Sequence, residues 1–338
     1  MSEGLLAMAS KNQILAHNPD GVLWWRFWNP MTKLGGWEYM NGVIDTREAW
    51  DSIFDGRKID KIWANNHCPE ALKAMEAARE AYGTMIISEI DDDYSSCPNY
   101  NPAYEKLVLS GLAEQSWKVH ELADRTCAST PYLVDMIGDK AFLCPNFVVP
   151  ESWDYPKRPN KKPDECVLLL AGGIGRAKEM MSIEPTLHRF LEQPNNKIVI
   201  AGAFHHQLAD YPPGKVIWSR WADVPDYTRL MRWISPDIVV SPLEHNDFNR
   251  AKSNIKWLES AMLEASFVGE RWGELETSIT DGKDGFLADT PEEWDSKIMA
   301  LARDKDLRVK TSKAALDVVS SKWTWGGVEQ HWRAALEG

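Results

Sequence analysis

The sequence predicts an α/β protein of two domains, each built on a parallel sheet covered by helices. Its 338 residues are enough for two domains of ordinary size. Short apolar runs alternate with amphipathic segments of helical length in both halves. Residues 150–163 contain four prolines and a basic cluster without an apolar period, which is typical of an interdomain linker. We therefore predict domains at 1–150 and 164–320, a linker at 151–163 and a C-terminal helix at 321–338.

The composition is that of a globular protein, with 44% hydrophobic and 26% charged residues. No apolar run approaches the roughly 20 residues that cross a bilayer, and the N-terminus lacks the pattern of a signal peptide. We therefore expect a soluble, cytoplasmic protein. The formal charge of −12 disfavours broad non-specific nucleic-acid binding, although it leaves room for a local basic groove. The five scattered cysteines are expected to be buried free thiols: Cys68, Cys97, Cys127, Cys144 and Cys166.

The first half alternates predicted strands with predicted helices. The apolar run at residues 21–27 indicates the first strand, and residues 29–36 the loop that follows it. Residues 69–82 form an amphipathic helix that has proline in its first turn and ends at Gly83. Further strands are predicted at 59–64, 84–88, 126–130 and 142–146, and a further helix at 103–122.

The second half opens on a buried parallel strand at residues 165–171, followed by a glycine-rich turn from Gly172 to Lys178. Gly172 and Gly173 would let the backbone approach a phosphate, and Arg176 and Lys178 would supply positive charge to a departing diphosphate. The turn lacks the dinucleotide fingerprint, and no acidic residue ends the next strand. Further strands are predicted at 198–202, 216–218 and 237–240, and helices at 225–233, 291–303, 306–319 and 324–336.

The most informative stretch is residues 241–259, where an apolar strand leads through a polar loop into a helix. The helix start near Lys252, Ser253 and Asn254 offers backbone N–H groups and the positive end of a helix dipole to an anion. Glu259 follows one to two turns later, where it could accept hydrogen bonds from the hydroxyls of a ribose. The alternative is an ordinary strand-to-helix corner with a solvated lysine and a surface glutamate.

These residues resemble the nucleotide-sugar site of GT-B glycosyltransferases, in the retaining group 1 type and in the variant often carried by tailed phages. The resemblance implies two facing Rossmann-like domains and a C-terminal helix that crosses back to the first domain. It also implies that Glu259 binds the ribose and that the amides of Ser253 and Asn254 bind the diphosphate. The family's other glutamate, eight positions before Glu259, is replaced by Ala251. The remaining donor-site residues by this resemblance are Gly172, Gly173, Arg176, Lys178, Phe248, Asn249 and Lys252.

Polar side chains follow the predicted strands of the first half, at the edge where a doubly wound sheet binds its ligands. The candidate acceptor contacts are Arg26, Asn29, Gly35, Gly36, Glu89, Asp91 and Tyr94. Adjacent carboxylates repel each other unless cations, donors or protons relieve them, which favours a site at Asp91, Asp92 and Asp93. One of these aspartates could instead cap a helix. The candidate catalytic residues are His67, Asp92, Asp93, Arg176 and Lys178.

The resemblance implies transfer of a sugar from a nucleotide-sugar, with a UDP-sugar favoured, to an acceptor hydroxyl. A hydroxymethylated pyrimidine of phage DNA, in the host cytoplasm, is one acceptor, and a cell-surface or virion carbohydrate or protein is the other. The rivals are a non-catalytic module that binds a nucleotide-sugar or nucleic acid, and a dehydrogenase. We predict no tightly bound cofactor and no protein metal site, while Mg²⁺ or Mn²⁺ is compatible with the carboxylates but not required. The oligomeric state is left open.

Overall fold

The computed structural model describes residues 12–16, 21–41, 59–65, 71–159, 161–202, 208–219, 222 and 226–337. The chain divides into two compact units, each with its own parallel sheet, so the predicted α/β class is confirmed. The first unit comprises Met1–Cys97, Tyr104–Pro145 and Glu329–Gly338, and the second comprises Pro98–Ala103 and Asn146–Val328. A short segment of the first half, Pro98–Ala103, therefore groups with the second unit.

The first sheet has the strand order β2-β1-β3-β4-β5-β6, and its neighbouring strands pair in parallel. The chain reverses its direction of travel across this sheet between β1 and β3. The loops after these two strands, including the predicted catalytic residue His67, lie outside the described residues. The strands are β1 (Asn12–Ala16), β2 (Trp37–Asn41), β3 (Lys61–Asn65), β4 (Met85–Ile90), β5 (Arg125–Ala128) and β6 (Ala141–Leu143).

The second sheet has the strand order β12-β11-β10-β7-β8-β9, again with parallel neighbours. Its direction reverses between β7 and β10, which lie side by side. A crevice therefore forms beyond the C-terminal ends of these two strands, the usual binding position in such sheets. The strands are β7 (Cys166–Gly172), β8 (Asn196–Gly202), β9 (Val216–Ser219), β10 (Ile238–Ser241), β11 (Ser266–Glu270) and β12 (Phe286–Ala288).

Helices connect the strands in both units. The α-helices of the first unit's segments are α1 (Gly21–Leu23), α2 (Asn29–Leu34), α3 (Ala71–Tyr82), α4 (Leu112–Leu122) and α5 (Pro131–Ile137), with π-helical turns at Trp24–Trp28 and Glu105–Leu109. The following helices are α6 (Ala177–Met181), α7 (Glu184–Glu192), α8 (Asp226–Ile234), α9 (Asp247–Arg250), α10 (Ile255–Met262), α11 (Glu274–Ser278), α12 (Pro291–Arg303), α13 (Lys305–Lys322) and α14 (Trp325–Leu336). Among the described residues, no helix combines the length and hydropathy that crossing a bilayer requires.

The predicted first strand at residues 21–27 is wrong, because this run is helical from Gly21 to Leu34. Leu23, Phe27 and Pro30 are buried at helical spacing. A short apolar run does not distinguish a buried strand from a buried helix by periodicity alone. The first described strand is β1, and the helical stretch forms its crossover to β2. The predicted loop is likewise shorter, since only Gly35 and Gly36, both at positive φ, separate α2 from β2.

The terminal helix α14 contributes its last turns to the first unit, as predicted. The Trp332 indole is buried and donates a hydrogen bond from Nε1 to the carbonyl oxygen of Pro145 at 3.1 Å. Its ring lies 5.8 Å from that of Trp63 on β3. Lys61 Nζ donates to the carbonyl oxygen of Leu336 at 2.6 Å. The end of the chain therefore completes the core of the first unit.

A buried ion pair joins helix and sheet inside the first unit. Arg26 Nε lies 2.5 Å from Glu89 Oε1, and the two residues are 1% and 0% exposed. Arg26 Nη1 also donates to the carbonyl oxygen of Cys144 at 2.6 Å, and its guanidinium lies 4.8 Å from the Trp332 ring centre. Burial raises the pKa of Glu89 to about 8, against the opposing effect of Arg26. The pair therefore serves packing, which corrects the prediction that Arg26 and Glu89 contact an acceptor.

At a pH above the raised pKa of Glu89, where its carboxylate is ionised, we expect Glu89→Gln to lower the free energy of unfolding by about 3 to 5 kcal/mol, because it leaves the Arg26 charge buried without its partner. The matched control is Asp317→Asn in an exposed pair with Lys313, which should cost less than about 0.5 kcal/mol. Urea denaturation measures both. The double variant Arg26→Met/Glu89→Leu should recover much of the loss, and a double variant as unstable as Glu89→Gln would contradict this account.

A second buried polar network, around His120, makes the stability of the first unit depend on pH. His120 Nδ1 lies 2.9 Å from Ser88 Oγ, which lies 2.8 Å from Thr126 Oγ1. Burial, followed by the charge of Lys140, lowers the pKa of His120 from 6.5 to about 4. Folding therefore favours the neutral ring, and the unfolded chain binds the proton first as the pH falls.

We expect the stabilising contribution of His120 to be complete above pH 6.5 and to decline by up to about 3 kcal/mol as the pH falls to 4. Denaturation of the wild type and of His120→Gln across this range measures the contribution. The difference in the free energy of unfolding between the two proteins should shrink as the pH falls. A difference that stays constant would show that His120 does not titrate as its burial requires.

Candidate functional site

The candidate site of the second unit lies beyond the C-terminal ends of β7 and β10. Arg176 follows β7, and its Nη2 donates to Ser241 Oγ at 3.2 Å and to the carbonyl oxygen of Pro242 at 2.8 Å, both at the end of β10. Gly172 leaves room for the Arg176 side chain, because a Cβ at position 172 would lie 2.9 Å from Arg176 Cγ. A guanidinium is thus fixed at the reversal point of the sheet, where an anion could bind.

Glu179 connects Arg176 with the loop after β10. Its Oε2 lies 2.7 Å from Arg176 Nε, while its Oε1 accepts a hydrogen bond from Asn249 Nδ2. Asn249 also donates to the carbonyl oxygen of Glu244 at 3.0 Å. Glu179 and Asn249 are both buried, so the contact is internal. Arg176 and Asn249 are both predicted residues of the nucleotide-sugar site. The Glu179 carboxylate, which the sequence analysis missed, brings them together.

Lys178 has different partners from Arg176. Its Nζ lies 2.6 Å from Glu244 Oε1 and 3.8 Å from the centre of the Tyr100 ring. The Tyr100 hydroxyl accepts a hydrogen bond from Asn246 Nδ2 at 3.2 Å. Lys178 also borders a pocket of about 260 Å³ that is otherwise rich in carboxylates. The principal polar and aromatic residues of this lining are Lys178, Glu179, Glu244, Glu270, Asp289 and Trp294.

The loop that enters α10 carries the predicted phosphate amides. Asn254 stands at the N-cap position of α10 without a side-chain capping bond, and its Nδ2 donates to Ser278 Oγ at 2.9 Å. Ser253 Oγ accepts from Asn146 Nδ2 at 2.8 Å. The Lys252 ammonium lies 4.2 Å from the ring centre of Phe248, which is buried. The helix begins directly after Ser253 and Asn254, and the binding of an anion by their amides stays a prediction.

Glu259 forms a compact group with Lys256 and Tyr227. Its Oε2 accepts from Lys256 Nζ at 2.8 Å and from the Tyr227 hydroxyl at 2.9 Å, and the residue is only 5% exposed. Lys256 Nζ also lies 3.2 Å from the Tyr227 oxygen. Burial lowers the pKa of Lys256, but Glu259 and Tyr227 outweigh it and raise the pKa above its ordinary value. Sequence reasoning missed Tyr227, because its helix meets α10 only in the folded unit.

In the first unit, the acidic segment after β4 is partly committed to local structure. Asp93 caps the short 3₁₀ helix Tyr94–Ser96, accepting from the Ser95 amide at 3.1 Å. It also accepts from the hydroxyls of Ser95 and Ser96 at 2.5 Å each. The capping alternative is thus confirmed for Asp93. With Asp92 and the buried Tyr94, it lines a small pocket of about 20 Å³ next to His120.

The other predicted acceptor residues lie apart from that pocket's lining. Asn29 is buried at the start of α2, while Gly35 and Gly36 are exposed between α2 and β2. Asp91 follows β4 directly and is half-buried. The structure thus brings Asp92, Asp93 and Tyr94 together at one pocket.

One group of side chains in the second unit has the composition of a metal site. One ligand atom each from His245, Glu270 and Asp289 lies within 4.8 Å of the others. However, His245 Nε2 lies 3.2 Å from Glu270 Oε1, and Arg271 Nε lies 2.9 Å from Asp289 Oδ2. Arg271 offsets the charge of Asp289, and Glu270 already has His245 as a hydrogen-bond partner, so contacts within the chain account for the arrangement of the group.

The basic residues of the predicted linker pair with carboxylates of the second unit. Lys157 lies 3.1 Å from Glu264, and Lys161 lies 2.6 Å from Asp237. Arg158 bonds to Glu165. These cations therefore take part in ion pairs within the second unit.

Comparison with known proteins agrees with this architecture. A family model described as glycosyl transferase-like matches residues 183–333. A sucrose-phosphate synthase of Thermosynechococcus elongatus is 11% identical with a TM-score of 0.70, covering 96% of this chain and 98% of that one. HepE of Anabaena, solved with UDP and glucose, is 13% identical with a TM-score of 0.68, covering 97% and 99%. A search among curated proteins found no match. The chain therefore has the fold of the GT-B glycosyltransferases.

Proposed function

We propose that the protein is a glycosyltransferase that takes its sugar from a UDP-sugar and retains the anomeric configuration. The observation that carries the proposal is the fixed Arg176 guanidinium at the reversal point between β7 and β10. Two further findings support it. The glycosyl transferase-like family model covers the α10 segment, and the similar HepE fold is solved with UDP-glucose.

In this proposal, the second unit binds the donor. Arg176 and the amides of Ser253 and Asn254 hold the diphosphate, assisted by Lys252, and Glu259 accepts hydrogen bonds from the ribose. Negative charge develops on the diphosphate as the glycosidic bond breaks. Fixed cations and amides placed where that charge develops lower the barrier without reorganising.

Lys178 is the cation that must change partners. It is paired with Glu244 in the structure, and a diphosphate would compete with that carboxylate for the same ammonium. The pair is about half exposed, so its rupture costs little. Lys178 can therefore serve as an adjustable contact beside the fixed Arg176.

The first unit would present the acceptor hydroxyl. Asp93 is occupied as a helix cap, which makes Asp92 the better candidate to orient or deprotonate that hydroxyl. His67 remains a candidate from the sequence. The acceptor is either a hydroxymethylated pyrimidine in DNA or a hydroxyl of a carbohydrate or protein, and the pairing of the linker cations gives no advantage to DNA.

The test is a panel of nucleotide-sugars crossed with hydroxymethylated DNA, plain DNA and carbohydrate acceptors, read by mass spectrometry. We expect turnover of a UDP-sugar, and we expect Arg176→Met to lower kcat/KM by about 100-fold or more, because it removes a donor to the leaving group. The control is Lys313→Met at an exposed site of α13, which should leave kcat/KM unchanged.

The proposal fails if no donor is turned over, including by hydrolysis. Binding of UDP without turnover would favour the non-catalytic module, and binding of a nicotinamide dinucleotide would favour a dehydrogenase. Since protein cations and amides supply the positive charge, EDTA should leave the rate unchanged. The anomeric configuration of the product, read by NMR, tests retention.

A further inference from the structure

We propose that Tyr227 is a positioning residue that orients Glu259 and thereby makes nucleotide binding selective for an intact ribose. The inference rests on the proposed function, because it takes Glu259 as the ribose ligand. It adds a residue on a different helix and a specific consequence, discrimination between ribonucleotides and nucleotides that lack the ribose hydroxyls.

The donor and the acceptor of each hydrogen bond among Lys256, Tyr227 and Glu259 can be assigned. Lys256 Nζ lies 2.8 Å from Glu259 Oε2 and 3.2 Å from the Tyr227 oxygen, which itself lies 2.9 Å from Glu259 Oε2. An ammonium only donates and an ionised carboxylate only accepts. The Tyr227 hydroxyl therefore accepts from Lys256 and donates to Glu259. Both donors meet the same oxygen, Oε2, and we assign Oε1 to the ligand.

Tyr227 is itself held in place. It lies in the first turn of α8, and its ring meets that of the buried Trp153 edge to face, with centroids 6.5 Å apart. Burial and the charge of Glu259 raise the pKa of Tyr227, so its hydroxyl keeps its proton at physiological pH. The tyrosine side chain has only two flexible torsions before its rigid ring, whereas lysine has four. The Tyr227 hydroxyl therefore holds the Glu259 carboxylate more firmly than Lys256 can alone.

Holding Glu259 Oε2 in place makes the site discriminate between ligands with and without ribose hydroxyls. A site built to hydrogen-bond a hydroxyl discriminates strongly against an analogue without it, because the buried polar group is left unpaired. That discrimination requires the carboxylate to stay where the hydroxyl will be. If Tyr227 no longer holds Oε2, Glu259 can turn toward Lys256, and the loss of the ribose hydroxyls then costs less.

The experiment compares the binding of UDP and of 2′,3′-dideoxy-UDP by isothermal titration calorimetry. The wild type should bind UDP at least about tenfold more tightly than the dideoxy analogue, which corresponds to one or more hydrogen bonds to a charged group. Tyr227→Phe should weaken UDP about tenfold and leave the dideoxy analogue nearly unchanged, so that the selectivity collapses. Lys256→Met provides a second variant, and it should lower the selectivity in the same direction.

The matched control is Tyr211→Phe, which removes a hydroxyl that lies 2.6 Å from His188 Nδ1 in the same unit. This variant should preserve the selectivity. If Tyr227→Phe weakens both nucleotides equally, or neither, Tyr227 has only a structural role and the inference is overturned while the proposed function stands. If the wild type binds no UDP, the proposed function fails together with the inference.

Discussion

The parallel pairing of β7 with β10 is the constraint on which the second unit depends. These strands are far apart in sequence, yet Leu168 pairs with Ile238 and Leu170 with Val240. Continuous apolar runs on both strands bury both faces of the sheet, which is what parallel pairing requires. Because the chain leaves β7 in one direction and β10 in the other, their carboxyl ends open a crevice between the following loops.

The chemistry of that crevice follows from the charges placed around it. Arg176 is locked by Ser241, Pro242 and the buried Glu179, whereas Lys178 makes an exposed pair that can exchange. A fixed cation and an exchangeable one suit a ligand whose negative charge grows during reaction. Ala251, which stands where the glycosyltransferases that this sequence resembles have a second glutamate, is fully buried.

The sequence predicted the second unit better than the first. Residues 291–303 were expected to be helical, and Pro291–Arg303 is the helix found, because Thr290 caps it and Pro291 occupies its first turn. The apolar run at 165–171 likewise becomes β7. The strand predicted at 21–27 is instead helical, because the periodicity of a short apolar run does not distinguish a buried strand from a buried helix.

The residues of the candidate site were likewise predicted only in part. The proposed phosphate-binding residues Ser253 and Asn254 and the proposed ribose ligand Glu259 stand in one continuous motif, so sequence spacing was enough to select them. Tyr227 and Tyr100 reach the site from distant segments, and no local pattern marks them. Glu179 is adjacent to Lys178 in sequence, but only the fold shows that its carboxylate joins Arg176 to Asn249. Tyr100 belongs to Pro98–Ala103, which groups with the second unit although the chain on either side belongs to the first. Contacts of this kind depend on the fold and cannot be derived from spacing.

The most direct measurement is a crystal structure of the protein with UDP. We expect the diphosphate to contact Arg176 and the amides of Ser253 and Asn254, and the ribose hydroxyls to contact Glu259. UDP bound at the carboxylate-rich pocket, or at any position that leaves both Arg176 and Glu259 without contact, would contradict this expectation.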